Sequence, residues 1–215
     1  HVISLMSVLL TSANVIAVES EGVQPIKVVT TFSVLADMVS SVGGEYVDVT
    51  TLVDWGEDAH VYRPSPQDIR RLAQADVLVM NGLGFEGWIA RLVSAAGFQG
   101  VTVLASQGVD YIDLEGGGHE EHEGHESHAG DHESHDSEHA EEKLDPHAWH
   151  SLPAAKHYVK NISDALTKID PAHEGQYRSQ LATYLTAIDA LFVSSKAAFS
   201  VLSDAQRHLV VPHNA

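Results

Sequence analysis

The hydrophobic positions change period several times along the chain, and each change marks an element. Ile26–Thr31 is a β-branched, apolar run that predicts a buried strand. Val34–Val42 then places Val34, Leu35, Met38, Val39 and Val42 on one helical side, stopped by Gly43-Gly44. Tyr46–Val53 predicts a second strand, and its carboxyl end opens into the loop DWGEDAHVYRPSP. Ser65 suits a helix N-cap, Pro66 the first helical position, and Asp68 the third residue of a capping box, for a helix reaching Ala75. Val77–Met80 is a short third strand, Asn81-Gly82-Leu83-Gly84 a turn, Trp88–Ala96 a helix closed by Gly97, and Val101–Leu104 a fourth strand. Strands alternating with helices at this spacing predict an α/β fold with a parallel sheet.

Periodicity disappears between residues 115 and 143 and returns after Leu144. Pro153–Ile169 predicts a helix broken by Asp170-Pro171. Residues 172–200 predict a second one, with Tyr177, Leu181, Tyr184, Ile188 and Leu191 at four-three spacing. At ~1.5 Å per residue it spans roughly 40 Å, long for one small lobe, and has the look of a strut. His208–Val211 starts a further apolar strand.

Composition changes this picture in two places. Val2–Ala17 is uncharged and ends in a small residue, so residues 1–17 are expected to be the remnant of a cleaved signal peptide; sixteen residues is short for a membrane span. The segment 115–143 carries His119, His122, His125, His128, His132, His135 and His139, with eleven acids between Glu115 and Glu142. It has no apolar surface to offset ordering entropy, so a disordered loop is expected. Imidazoles on an acidic tether suit borderline divalent cations, zinc above all, and such a loop gathers metal without a fixed geometry. Taking those eleven acids from the net charge of −18 leaves a body at −7, which argues against nucleic acid as a partner. There is no cysteine, so a metal must be held by His, Asp, Glu or water, and a lipid-anchored form is disfavoured.

Three histidines sit in comparable settings. His60 follows a strand, His147 lies in an Asp-Pro-His turn, and His213 follows the last strand. In parallel sheets ligands bind beyond the carboxyl ends of strands. Zinc takes four ligands, so three histidines leave one position open. Glu57 and Asp58 are nearby acids but suit a loop surface, and His150 suits an exposed or turn-capping role. Gly82 and Gly84 belong to no phosphate-binding motif, since neither GxGxxG nor a lysine-bearing phosphate loop follows.

The motifs Asp58-Ala59-His60-Val61-Tyr62-Arg63-Pro64-Ser65-Pro66-Gln67-Asp68, Ala75-Asp76-Val77, Asn81-Gly82, Asp145-Pro146-His147-Ala148-Trp149 and Pro212-His213-Asn214-Ala215 resemble those of the metal-binding solute-binding proteins of zinc and manganese ABC uptake transporters. The resemblance covers nearly everything after Gln24. It implies a Rossmann-like metal-binding lobe over 24–169, a linking helix over 172–200, and the start of a second, truncated Rossmann-like lobe over 207–215. It also implies metal held in the cleft between lobes by His60, His147 and His213, with a late carboxylate as fourth ligand beyond Ala215. Manganese-preferring relatives place a carboxylate where His213 stands, so His213 favours zinc. Trp149 and Tyr62 are expected to pack beside the site and exclude water.

The function this implies is capture of periplasmic Zn2+, carried as cargo, and delivery to an ABC membrane permease. No catalysis is expected, a monomer is expected, and a periplasmic zinc chaperone is a further expected partner. A zinc-dependent hydrolase would use the same three histidines and an activated water, but no HExxH is present and only Glu57 or Asp58 stand ready as a base. A metal buffer or adhesin, in which the His-rich loop is the whole function, leaves the Asp-Ala-His and Asp-Pro-His motifs unexplained.

Overall fold

The computed structural model describes residues 24–110 and 145–208. Four strands form one parallel sheet: β1 Ile26–Phe32, β2 Val47–Val53, β3 Val77–Met80 and β4 Val101–Leu104. Their spatial order is β2-β1-β3-β4. The last five residues of β1 are buried on both faces, as expected of an inner parallel strand. Val28 and Val29 of β1, Val77, Leu78 and Val79 of β3, and, toward the ends of β1, β2 and β4, Phe32, Val53 and Val103 are among the strand residues buried in the core.

Helix α1, Ser33–Gly43, follows β1 and buries Leu35, Met38, Val39 and Val42 of the side that the spacing predicts, whereas Val34, in its first turn, is exposed and lines the open cleft instead. Helix α2, Pro66–Ala73, begins in the expected capping box: Ser65 accepts from the Asp68 backbone, and the Asp68 carboxylate accepts from the Ser65 backbone. Helix α3, Ile89–Ala96, ends at Gly97 in the left-handed region at φ 56°, where a side chain would be strained. Helix α4, Leu152–Ile169, opens at Ser151 and buries Ala154, Ala155, Tyr158, Val159, Ile162 and Leu166 at helical spacing. Leu35, Tyr158 and Ile162 are fully enclosed, and burying such side chains contributes about 2 kcal/mol each.

Helix α5, Glu174–Ser200, is a single rod of 27 residues. Its first half packs against α1 and α4 through Tyr177, Leu181, Tyr184 and Ile188. The periodic stripe continues to Leu191, but Leu191 is half exposed, and Phe192, Val193 and Phe199 are exposed beyond it. Among the described residues the second half of the strut is uncovered. The corner before α5 is a polar cluster. The Asp170 carboxylate accepts from His173 Nδ1 at 2.6 Å and from the Tyr177 hydroxyl at 2.8 Å.

Several expectations lie outside the described residues: the signal remnant at 1–17, the His-rich segment at 115–143, and His213 with most of 207–215. Arg207 and His208 are described and belong to no strand.

Candidate metal centre

The strand order reverses between β1 and β3, so the connections leaving their carboxyl ends part to opposite sides and leave a crevice. An open cleft of about 420 Å³ lies here, with Phe32, Phe85 and Trp149 as its apolar wall and Asp54, Glu57 and Asp58 on its rim. His60 and His147 enter it from the loop after β2 and from the turn before α4. They are 87 positions apart in sequence, yet their Nε2 atoms are 3.0 Å from each other.

Each imidazole is held by its own backbone and its neighbours. In the His60 loop, Asp58 Oδ1 accepts the His60 backbone N–H at 2.9 Å, and Glu57 accepts that of Asp54 at 3.3 Å. The indole N–H of Trp88 donates to the Ala59 carbonyl at 2.8 Å, pinning the residue before His60 to α3's start. Downstream, Tyr62 and both Ser65 groups donate to one oxygen of Asp68, while Arg71 pairs with the other. Burial alone would raise the Asp68 carboxyl, but the Ser65, Tyr62 and Arg71 contacts outweigh it and hold the group below the ordinary carboxylate range. Burial, then the bond to the Asp68 carboxylate, pushes the Tyr62 hydroxyl up to about 12. Tyr62 therefore serves the helix cap and stacks edge-on to Trp88, rather than walling the cleft as expected.

His147 is buried, and Asp145 sets its orientation. One Asp145 oxygen accepts the His147 backbone N–H at 2.9 Å and approaches the ring Nδ1 at 2.8 Å. A carboxylate can only accept, so Nδ1 carries the proton and Nε2 presents its lone pair to the cleft. Trp149 stands as expected beside the site, its ring centroid 5.4 Å from that of His147. Phe85, which the sequence reading passed over, packs edge-on against His60 at 4.6 Å and against Trp149 at 4.8 Å. His150 is exposed on the cleft's edge, its ring 6.4 Å from that of His147. Glu57 and Asp58 are both engaged by their own loop, in keeping with a structural use.

This geometry suits a divalent cation. Two nitrogens on tetrahedral zinc, at ~2.05 Å each, stand roughly 3.3 Å apart. The observed separation is within a few tenths of an ångström of that figure. Among the described residues no group of three or more His, Asp or Glu converges on one point. The described part of the site is thus a two-imidazole clamp, and the positions of His213 and the seven histidines from His119 to His139 lie outside it.

Residues 28–215 match the family described as ZnuA, zinc-uptake complex component A periplasmic. The chain belongs to this family. Among relatives of this chain, the manganese-binding lipoprotein MntA of Halalkalibacterium halodurans is 32% identical over 196 residues, covering 91% of this chain and 57% of its own. The manganese ABC transporter substrate-binding lipoprotein PsaA of Streptococcus anginosus is 31% identical over 194 residues, covering 87% of this chain and 56% of its own. This ZnuA-family chain therefore spans little more than half the length of those relatives. Among solved structures, the Mn-bound periplasmic metal binding protein from Candidatus Liberibacter asiaticus superposes with a TM-score of 0.67 at 25% identity, over 85% of this chain and 60% of its own. The metal-dependent lipoprotein YcdH from Bacillus subtilis shares the fold at a TM-score of 0.64 and 24% identity, over 81% of this chain and 56% of its own.

Proposed function

We propose that this chain is the metal-capturing part of a periplasmic solute-binding protein, taking Zn2+ as cargo for an ABC uptake system and passing it to the membrane permease. The observation that carries the reading is the 3.0 Å approach of the His60 and His147 Nε2 atoms, with the second ring's proton held on the far nitrogen by Asp145. His213 is the third ligand in this reading, supplied by the start of a second lobe at 207–215, with residues 172–200 as the helix linking it to the lobe at 24–169. The relatives named above carry manganese in their names, whereas the family description names zinc. Imidazole donors argue for zinc, since manganese favours carboxylate and water. The histidines from His119 to His139 raise the local metal concentration and pass ions inward. A signal at 1–17 directs the protein to the periplasm, where it acts as a monomer and receives zinc from a chaperone as well as from solution.

Calorimetric titration of zinc into the protein tests this. One tight event is expected, lost in His60→Ala and in His147→Ala, with manganese binding much more weakly. Tight binding that survives both substitutions, or a preference for manganese, overturns the corresponding half of the reading.

A further inference from the structure

Behind the cleft lies a buried polar network that the metal reading does not use. Glu86 is 4% exposed, and Asn81 is fully buried. Glu86 Oε1 accepts from the Thr31 hydroxyl and the Asn81 backbone N–H, each at 2.6 Å, and Oε2 accepts from the Gly82 N–H at 3.1 Å. Burial raises the Glu86 carboxyl, against the pull of these donors. Gly82 itself is at φ 86°, and a Cβ there would stand 3.1 Å from Ser106 Oγ, so the tight turn that aims both backbone N–H groups at Glu86 favours glycine. The end of β3 is thus clamped to the end of β1 directly beneath the site.

Asn81 carries that rigidity outward. Its Nδ2 donates to the Pro146 carbonyl at 2.9 Å and to the Gly82 carbonyl at 3.0 Å. Two carbonyls can only accept, which assigns the amide orientation without ambiguity. Oδ1 then faces the Tyr158 hydroxyl, which must donate, at 2.6 Å. Pro146 is the residue before His147, so the amide grips the turn that sets the second ligand. Asp145 orients the His147 ring; Asn81 fixes where the turn bearing it sits.

We propose that Asn81 is a positioning residue for metal binding, its side-chain amide tying the Asp145-Pro146-His147 turn to the Glu86-anchored end of β3 so that His147 Nε2 is held at chelating distance from His60. The inference rests on the reading of His60 and His147 as the metal pair. Asn81→Asp is nearly isosteric and keeps the acceptor facing Tyr158, but it removes the donor to Pro146. Losing a supporting contact of this kind weakens metal binding on the order of tenfold or more.

The test separates position from stability. Zinc affinity is measured by competition with a chromophoric chelator in the intact protein, for wild type, Asn81→Asp, His147→Ala and Tyr177→Phe. The last removes a half-buried hydrogen bond at the remote Asp170 corner and reports the effect of lost stability alone. Asn81→Asp is expected to bind zinc at least tenfold more weakly, with a smaller zinc-induced shift of the His147 Nε2 resonance, while Tyr177→Phe binds as wild type. Wild-type affinity in Asn81→Asp, or an equal loss in Tyr177→Phe, overturns the positioning role while leaving the metal pair intact. Unchanged affinity in His147→Ala instead removes the metal pair itself, and the inference with it. Should Asn81→Asp not fold, the side-chain amide resonances of Asn81 in wild type decide: they are expected to move as zinc binds, and resonances that stay fixed while those of His147 shift overturn the proposal.

Discussion

Asp145 Oδ1 accepts both from the backbone N–H of His147 and from its ring Nδ1, at 2.9 and 2.8 Å, so one carboxylate oxygen fixes the turn and the tautomer together. Asp145→Asn keeps the shape but offers an amide that can present either face to the ring. Zinc affinity is expected to fall ten- to a hundredfold, the range typical of lost carboxylate–histidine support. Chelator competition reads this directly, and the thermal midpoint of the metal-free protein should move far less than the affinity does.

The His60 side of the clamp depends on the Trp88 indole donating to the Ala59 carbonyl. Trp88→Phe keeps much of the buried ring and deletes the donor, leaving that carbonyl without its indole partner. The expected cost is about 1–2 kcal/mol in urea unfolding of the metal-free protein. Zinc dissociation, followed by stopped flow, should also quicken, because the loop bearing His60 is loosened. Unchanged dissociation would show that the loop is held well enough by Asp58 and the Asp68 cap.

Acid should destabilise the metal-free fold through Asp68 and Asp170. Burial tends to raise both carboxyls, but hydrogen bonds from Ser65 and Tyr62 in one case, and from His173 and Tyr177 in the other, leave them lowered from the ordinary 3.8. A group with a depressed folded pKa binds its proton more readily when unfolded. Its stabilisation is therefore complete above the unfolded value and is lost as pH falls from about 4 through the folded value. Glu86, raised by burial, acts with the opposite sign and favours the folded state as it takes up its proton. Urea midpoints measured from pH 7 to pH 3 should fall most steeply at the acid end, and Asp68→Asn should lower the neutral plateau and flatten that fall.

Deletion of residues 116–142 should leave the tight zinc event intact and remove several weaker ones, since the seven histidines there are chemically alike. Disappearance of the tight event with the segment would move the principal site out of the cleft.

Much of the fold was legible because its signals are local. Val77–Met80 and Val101–Leu104 are apolar runs with clear borders, and Ser65, Pro66 and Asp68 spell a helix start within four residues. His60 and His147 stood out for similar reasons, one after a strand and one in a proline-stiffened turn. Glu86 and Phe85 did not. Their meaning comes from Thr31, 55 residues away, and from His60, and a lone glutamate reads as surface until the turn of Asn81 and Gly82 closes over it. Leu191 is a different case. Spacing along α5 marks which side of the helix is apolar, but not whether anything covers it.

The 87-residue separation between His60 and His147 has a consequence for folding. The two rings meet only after β1, β2 and β3 have paired and the turn before α4 has docked, so the clamp does not exist in the unfolded chain. An ion seated there works as a removable crosslink. Because an ion held by both rings would bind the folded chain and not the unfolded one, it would stabilise the fold by mass action, by about 2.7 kcal/mol at a hundred times its dissociation constant. A chain without a single cysteine would thereby carry a clasp that opens whenever the ion leaves, and resistance to unfolding would rise and fall with occupancy.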